Sequence, residues 1–175
     1  MEQDLRMLDI IRERRSIRAY KPDKVPDDLI DKITEAGLYA PSGMNRQPVI
    51  IIAISDKETR DRLSKLNASI MGTETDPFYG APSVLVVLAR KDAPTYIYDG
   101  SLAMGNMMLA SRALGLGSCW IHRAKEEFES KEGKEILRSL GIEGDYEGIG
   151  NCIIGYADDE PKASERRSNR VYKIS

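Results

Sequence analysis

Residues 95–114 form a segment that is apolar around nearly the whole circumference of the helix they predict. Its small and apolar positions are Gly100, Ala103, Met104, Gly105, Met107, Met108, Leu109 and Ala113. A helix that is apolar on nearly all sides must be covered on nearly all sides. The segment is therefore expected at the centre of the fold, at a subunit interface, or at both.

Four short apolar runs predict strands before and after this helix. They are residues 49–54, 83–89, 117–121 and 148–155. A continuous apolar run without alternation is typical of a strand that is buried on both faces. We expect this of residues 49–54, which are all apolar and mostly β-branched.

Helical periodicity occupies most of the sequence between these runs. The further helices are predicted at about residues 4–13, 26–40, 57–70 and 125–140. Residues 72–82 hold two prolines and two glycines and are predicted as a loop. Because strands and helices interleave, the class is α/β or α+β.

The length and charge of the chain restrict its class further. With 175 residues, the chain is predicted to form a single domain over residues 1–175. A net charge of −2 does not favour a nucleic-acid or membrane-surface partner. No apolar run approaches the roughly 20 residues that span a bilayer, and the acidic start Met1-Glu2-Gln3-Asp4 does not resemble a signal peptide. We expect a cytoplasmic protein.

The cysteines and the single histidine suggest no metal site. Cys119 and Cys152 lie far apart in apolar, strand-like surroundings, so buried free thiols are expected. His122 has no cluster of possible ligands around it in the sequence, and a satisfied structural histidine is favoured over a catalytic acid. Its place directly after a predicted strand is nevertheless one where loops often carry function.

Arginines dominate the segment Arg14-Arg15-Ser16-Ile17-Arg18. Guanidinium groups pair with phosphate oxygens in a bidentate manner, and a serine hydroxyl adds a further hydrogen bond. In an extended segment Arg14, Ser16 and Arg18 would share one side. A solvated surface and a phosphate site both remain possible interpretations of this segment alone.

Residues 41–48 form a loop that is rich in turn formers and side-chain amides. Its sequence is Pro41-Ser42-Gly43-Met44-Asn45-Arg46-Gln47-Pro48. Asn45 and Gln47 alternate along an extended segment, and each carries a donor and an acceptor. Such amides suit a ligand with a mixed edge, such as the pyrimidine ring of a flavin. A solvated polar loop remains an equal alternative.

Taken together, these segments resemble the nitroreductase family of FMN-dependent oxidoreductases. The likeness rests on the arginine segment, on residues 40–48 leading into a strand, on Ala113-Leu114-Gly115-Leu116-Gly117, and on Gly155-Tyr156 followed by Pro161-Lys162 and a tail with arginines. The order and spacing agree over nearly the whole chain.

The resemblance implies an α+β fold of three layers, with a central mostly antiparallel or mixed sheet flanked by helices. It also implies an interlocked homodimer with FMN at the interface. The polar extension at residues 158–175 would then wrap the partner subunit.

The resemblance further implies a set of cofactor-binding residues. Arg14, Ser16 and Arg18 match positions for the phosphate and the ring edge, Arg15 matches a position near the flavin, and Asn45 matches one that reaches the isoalloxazine. The Ile121-His122-Arg123 loop matches one whose backbone N–H groups approach the flavin. The remaining members of the set are Pro41, Ser42 and Gln47 in the loop, and Arg166 and Arg167 in the tail.

The activity that the resemblance implies is hydride transfer from NADH or NADPH, through the flavin, to a nitroaromatic, a quinone or a similar small acceptor by a ping-pong mechanism. The flavin carries the chemistry, so no catalytic side chain is expected. Val49 replaces a tryptophan found in many members, and residues 71–82 resemble a shortened substrate-covering insertion. Dehalogenation, enone reduction, flavin breakdown and non-catalytic binding of a flavin or phosphorylated ligand remain alternatives.

Overall fold

Six α-helices and four strands make up the described part of the computed structural model, which covers residues 2–174, with side chains from residue 6 onward. They are α1 (Glu2–Glu13), α2 (Asp27–Leu38), β1 (Val49–Ile54), α3 (Lys57–Met71), β2 (Ser83–Arg90), α4 (Tyr96–Ala113), β3 (Gly117–Ile121), α5 (Ala124–Glu129), α6 (Lys131–Ser139) and β4 (Tyr146–Gly155). The terminal residues Met1 and Ser175, and the side chain of Leu5 in the predicted first helix, lie outside the described residues.

The strands form one antiparallel sheet in the order β1-β2-β4-β3. The two central strands are the most deeply buried, and β4 pairs with β2 along nearly its whole length and with β3 over residues 151–155. One face packs against α2 and α4, and the other packs against α3 and α5. The prediction of an α+β fold with a mostly antiparallel sheet between helical layers is confirmed.

Helix α4 lies against the middle of this sheet, as its composition predicts. Ala103, Met104 and Met107 are fully buried there. Farther along the helix surface, Tyr98 is 71% exposed and Leu102 is 48% exposed. Its own chain therefore covers only one side of this helix.

Strand β1 differs from the expectation of burial on both faces. Ile52 and Ile54 are buried, whereas Ala53 is exposed and residues 49–51 are only partly buried. The reason is position, because β1 lies at the edge of the sheet and pairs on one side with β2. A continuous apolar run does not by itself distinguish an edge strand from a central one.

The predicted helix at residues 125–140 is in fact two helices, α5 and α6, which meet at Ser130. Ser130 has an extended backbone, and its hydroxyl accepts a hydrogen bond of 3.1 Å from Gly133 N. A serine in this place caps the start of a new helix. A side chain on Gly133 would lie 2.2 Å from the carbonyl oxygen of Glu127, so the glycine lets the two helices meet closely.

The segment after the last strand has neither helix nor strand over the described residues 161–174. It carries apolar side chains that its own chain leaves uncovered, and Tyr172 is 88% exposed. Over the described residues, no helix combines the length and the apolarity that crossing a membrane requires.

Two glycines of α4 provide a matched test of the packing between this helix and the sheet. A side chain on Gly100 would lie 2.5 Å from Ile149 of β4, whereas one on Gly105 would have no atom within 4 Å. We expect Gly100→Ala to lower the free energy of unfolding by about 1–3 kcal/mol, because it overpacks a filled contact. Gly105→Ala should raise it by up to about 1 kcal/mol through helix propensity. Urea denaturation measures both, and equal stabilities would contradict this packing.

Candidate functional site

The arginine segment is extended and lies beside β3. Ser16 forms a parallel bridge with Ser118, and Ile17 N donates to Ser118 O at 3.0 Å. Tyr20 bridges Ala157, and its hydroxyl donates to Ile17 O at 2.9 Å. These bonds fix the segment against the edge of the sheet.

The arginines of this segment line two different cavities. Arg14 and Arg15 line a cavity of about 310 Å³, together with Arg112 and Ser118. Arg18 lines another of about 190 Å³. The structure therefore separates Arg14 from Arg18, and the expectation that Arg14, Ser16 and Arg18 share one side is wrong.

The cavity at Arg18 lies at the end of β3, and we call it the β3 pocket. Its lining is Arg18, Met71, Thr75, Asp76, Pro77, Tyr79, Cys119, Trp120, Ile121, His122 and Arg123. The structure thus brings together four of the predicted site residues, Arg18 and the Ile121–Arg123 turn. The side chain of His122 is exposed, so the expectation of a satisfied structural histidine is wrong.

The carboxylate that lines the β3 pocket is ion-paired and hydrogen-bonded within the chain. Asp76 accepts hydrogen bonds from Arg60 at 2.7 Å and from Ser64, and also from the backbone N–H groups of Phe78 and Gly80. Burial opposes ionisation, but these hydrogen bonds outweigh it, and the pKa of Asp76 is lowered. Asp76 is paired with buried Arg60, which also pairs with Asp61. The pocket lining holds two cations, Arg18 and Arg123, against this one carboxylate, so its net charge is positive.

The turn after β3 has an unusual backbone. Arg123 has a φ of 79°, in the left-handed region that non-glycine residues seldom adopt. The Asn67 side-chain amide donates to His122 O at 2.8 Å, and Glu127 N donates to Arg123 O at 3.0 Å. The carbonyl group of His122 is therefore held from α3, and the carbonyl group of Arg123 accepts the first hydrogen bond of α5.

The loop at residues 41–48 is not extended, contrary to the expectation from its alternating amides. Residues Gly43–Asn45 form a 3₁₀ turn, and φ is 53° at Asn45 and 47° at Gln47. Gln47 Nε2 donates to Asn45 Oδ1 at 3.0 Å, so the two exposed amides bond to each other. Ser42 Oγ accepts from Gln47 N at 3.0 Å. Turn formers next to an asparagine, which tolerates the left-handed region, explain this conformation.

The loop is attached to the central helix through a buried carboxylate. Asp99 of α4 accepts from Gly43 N at 3.0 Å and from Thr95 Oγ1 at 2.9 Å. A side chain on Gly43 would lie 2.3 Å from Thr95 Oγ1, so the loop and the helix are in close contact. Asp99 thus holds in place a loop with a strained backbone. Strained backbone conformations are common at functional sites.

The remaining predicted site residues lie apart from the β3 pocket. Pro41, Ser42 and Gln47 line a third cavity of about 140 Å³. Arg166 and Arg167 are exposed in the C-terminal tail. Each cavity is at or below the lower end of the roughly 300–1,000 Å³ typical of ligand pockets. A single chain therefore presents the candidate site in separate parts.

Sequence reasoning did not single out three buried polar residues that lie behind these cavities, namely Asn67, Asp99 and Glu127. Asp99 had a signal, because it is a carboxylate within the apolar segment at residues 95–114. Glu127 had none, because it lies among the charged neighbours Lys125, Glu126 and Glu129. Asn67 likewise resembled an ordinary polar position of a surface helix.

Glu127 is fully buried, and both of its carboxyl oxygens accept hydrogen bonds. Asn67 Nδ2 donates to Oε1, and Asn151 Nδ2 donates to Oε2 at 2.9 Å. Burial raises the pKa of Glu127 to about 7, which outweighs the opposing effect of the two amides. The nearby charges of Glu126 and Arg123 have smaller and opposite effects.

We expect this carboxyl group to make the stability depend on pH. Its folded-state pKa of about 7 lies above the ordinary value of 4.5, so the folded chain binds the proton more tightly than the unfolded chain. The contribution of protonated Glu127 to the free energy of unfolding is fully present below pH 4.5. It decreases by up to about 3 kcal/mol as the pH rises to about 7.

The E127Q protein should lack this loss, because glutamine does not titrate. Urea denaturation measures the free energy of unfolding of both proteins at pH 5 and pH 8. The difference in this free energy between the E127Q and unsubstituted proteins should be larger at pH 8. The E126Q protein, changed at the exposed neighbour, serves as the control. Parallel pH profiles for the E127Q and unsubstituted proteins would show that Glu127 has an ordinary pKa.

Comparison with known proteins places this geometry in a family. Residues 11–156 match the description "Nitroreductase family". A relative from Archaeoglobus fulgidus, provisionally named NADH dehydrogenase/NAD(P)H nitroreductase, is 34% identical over 165 residues, which cover 91% of this chain and 88% of the relative. The iodotyrosine deiodinase of Thermotoga neapolitana is 30% identical over 190 residues, covering 97% of each chain.

A solved structure agrees with the sequence comparison. The crystal structure of a nitroreductase with bound FMN from Bacteroides fragilis superimposes with a TM-score of 0.85, at 28% identity, over 97% of this chain and 98% of that one. The chain belongs to the nitroreductase family.

Proposed function

We propose that this chain is an FMN-dependent oxidoreductase that passes a hydride from NADH or NADPH to a small organic acceptor, such as a nitroaromatic or a quinone. Family membership and the FMN of the Bacteroides fragilis structure support the cofactor. The name of the Archaeoglobus fulgidus relative supports the donor. The observation that carries the proposal is the positively charged β3 pocket, in which Arg18 lies beside the strained Ile121–Arg123 turn.

The residues around the pocket fit FMN chemically. A phosphate needs cations and hydroxyl donors, which Arg14, Arg15 and Ser118 would supply in the cavity of about 310 Å³. A flavin ring needs backbone donors and a positive charge near its pyrimidine edge, which the Ile121–Arg123 turn and Arg18 would supply. The ion pair of Asp76 with Arg60 offsets the charge that would repel such a ligand.

The chain's own residues would bind and orient rather than react. Bound FMN supplies the hydride-accepting and hydride-donating atom, N5. Arg18 holds a permanent positive charge that stabilises the negative charge added by reduction. Donor and acceptor would use one face in turn, which predicts parallel initial-rate lines for NAD(P)H against the acceptor. The acceptor takes up the hydride, and the proton that completes its reduction comes from solvent.

A homodimer would join the separated parts of the site. Apolar side chains are exposed on α1 (Met7, Leu8, Ile11), on α4 (Ile97, Tyr98, Leu102) and on the tail (Val171, Tyr172, Ile174). Exposed apolar side chains in such numbers are typical of an interaction site. We propose that a second copy covers it, that residues 158–175 wrap the partner, and that the partner's loop at residues 41–47 closes the β3 pocket. Arg166 and Arg167 would then add charge near the phosphate.

Reductive dehalogenation is the second candidate. It is favoured by the iodotyrosine deiodinase of Thermotoga neapolitana, which matches over 97% of both chains. An anaerobic panel of nitroaromatics, quinones, enones and halogenated phenols would rank the acceptors by kcat/KM. Halide release that is faster than nitro or quinone reduction would favour this candidate.

The flavin proposal can be tested directly by reconstitution with FMN. We expect a yellow protein whose visible bands are bleached by NADH or NADPH under anaerobic conditions. A colourless protein that retains no FMN would favour a binding module of another kind. A yellow protein that no nicotinamide reduces would contradict the proposed electron donor.

Arg18→Ala should raise the Kd for FMN about 10- to 100-fold, because it removes a charged hydrogen-bonding group. It should also slow reduction by NADH. The matched control is Arg12→Ala, which removes an exposed arginine that contacts Asp9 on α1. FMN fluorescence titration and stopped-flow reduction measure the two effects. Equal losses from the two substitutions would show that Arg18 has no specific role.

Removal of residues 161–175 should convert the dimer to a monomer and abolish tight FMN binding together. Analytical ultracentrifugation measures the first change and fluorescence titration the second. The control is the full-length R166A/R167A protein, which should remain dimeric while its Kd for FMN rises. A truncated protein that remains a dimer with unchanged FMN affinity would contradict the proposed role of the tail.

A further inference from the structure

Three fully buried polar side chains lie directly behind the β3 pocket. They are Asn67 on α3, Glu127 on α5 and Asn151 near the middle of β4, and we call them the amide–carboxyl network. Glu127 accepts one amide donor on each carboxyl oxygen. The network therefore joins two helices to the central sheet.

A network of this kind is an expensive way to fill a protein interior. Burying a carboxyl group and two amides costs free energy even when they are hydrogen-bonded, and apolar side chains of similar volume would often be more stable. The side-chain oxygens of Asn67 and Asn151 are also buried without a hydrogen-bond partner. Stability alone therefore does not account for these three residues.

The geometry gives the network a different role. Asn67 Nδ2 carries two hydrogens, of which one is bonded to Glu127 and the other to the carbonyl oxygen of His122. Because Glu127 fixes the first bond, the direction of the second is also fixed. The backbone N–H of Glu127 holds the next carbonyl, that of Arg123. Arg123, the left-handed residue of the turn, thus lies between two hydrogen-bonded carbonyl groups, that of His122 and its own.

We propose that Asn67, oriented by Glu127 and Asn151, is a positioning residue that holds the His122–Arg123 turn in the conformation that lines the β3 pocket. The positioning is a property of the protein without cofactor. Its consequence for flavin affinity rests on the function proposed above.

Asn67→Ala removes the bond to the turn and leaves the rest of α3 in place. In the protein without FMN, we expect amide hydrogen exchange at Glu127, whose N–H donates to Arg123 O, to accelerate at least tenfold, while β4 remains protected. Acrylamide quenching of Trp120, the one tryptophan of the sequence, should increase because it lines the same pocket. With FMN, the Kd should rise about tenfold, the effect of one lost hydrogen bond.

Leu63→Ala is the matched control. Leu63 lies one turn earlier on the same helix and is as deeply buried, but it packs in the apolar core. The substitution should destabilise the protein while it leaves exchange at Glu127 and the Kd for FMN within twofold. The two variants are compared at equal loss of Tm. If Leu63→Ala then changes the exchange rate and the Kd for FMN as much as Asn67→Ala does, the network is merely structural and the proposal is wrong.

Glu127→Gln provides the conservative rescue. Glutamine keeps an acceptor for Asn67, and its amide can donate to the unpartnered oxygen of Asn151 after that side chain rotates. We expect this variant to retain exchange protection and FMN affinity within threefold, whereas Glu127→Leu should behave like Asn67→Ala. Loss of both properties in E127Q would overturn the proposed orienting role.

The exchange and quenching measurements also separate this inference from the proposed function. If the unsubstituted protein binds no FMN, the flavin proposal fails. Selective acceleration at Glu127 in the N67A protein would still support the positioning role.

Discussion

The packing of α4 against the middle of the sheet is the contact on which the rest of this structure depends. Ala103, Met104 and Met107 fill one face of the sheet, and Gly100 allows the helix to approach Ile149 closely. The same helix holds the loop at residues 41–48 through Asp99. Its exposed Tyr98 and Leu102 form part of the surface proposed to bind a second copy. Core, loop and proposed interface therefore share one element.

The candidate site depends on a second constraint, which is the backbone of the turn after β3. The extended arginine segment is bonded to this strand, so Arg18 and the turn lie on one pocket. Hydrogen bonds from Asn67 and Glu127 reach the turn from the interior. A positive charge and a fixed backbone thus come together at one pocket. This arrangement suits a family in which the cofactor supplies the chemistry.

Much of the fold could be predicted from the sequence because its strongest patterns are local. Strands β1 and β3 have the bounds that their apolar runs predict, and the buried face of α4 follows from its composition. Buried free thiols were also predicted correctly for Cys119 and Cys152. The break at Ser130 was missed because a cap residue within a charged amphipathic stretch hardly changes the helical period.

The site was harder to predict because it depends on tertiary contacts. Residues Arg18 and Arg123 meet only because the arginine segment pairs with β3, which no sequence pattern indicates. The extended loop expected around Asn45 was wrong, because three left-handed residues and the bond to Asp99 decide its conformation. Glu127 is indistinguishable in sequence from its exposed neighbours. Most of the candidate site residues were suggested by the family resemblance and not by local patterns.

The most direct test of a site that two copies complete is a mixed dimer. One subunit carries Arg18→Ala and the other carries Asn45→Ala, each of which should weaken FMN binding in its own homodimer. If each site combines Arg18 of one subunit with the loop of the other, the mixed dimer contains one intact site and one doubly altered site. FMN titration should then find one tight site per dimer. If no tight site appears, both parts come from the same subunit, and the proposed sharing of the site between two copies is wrong.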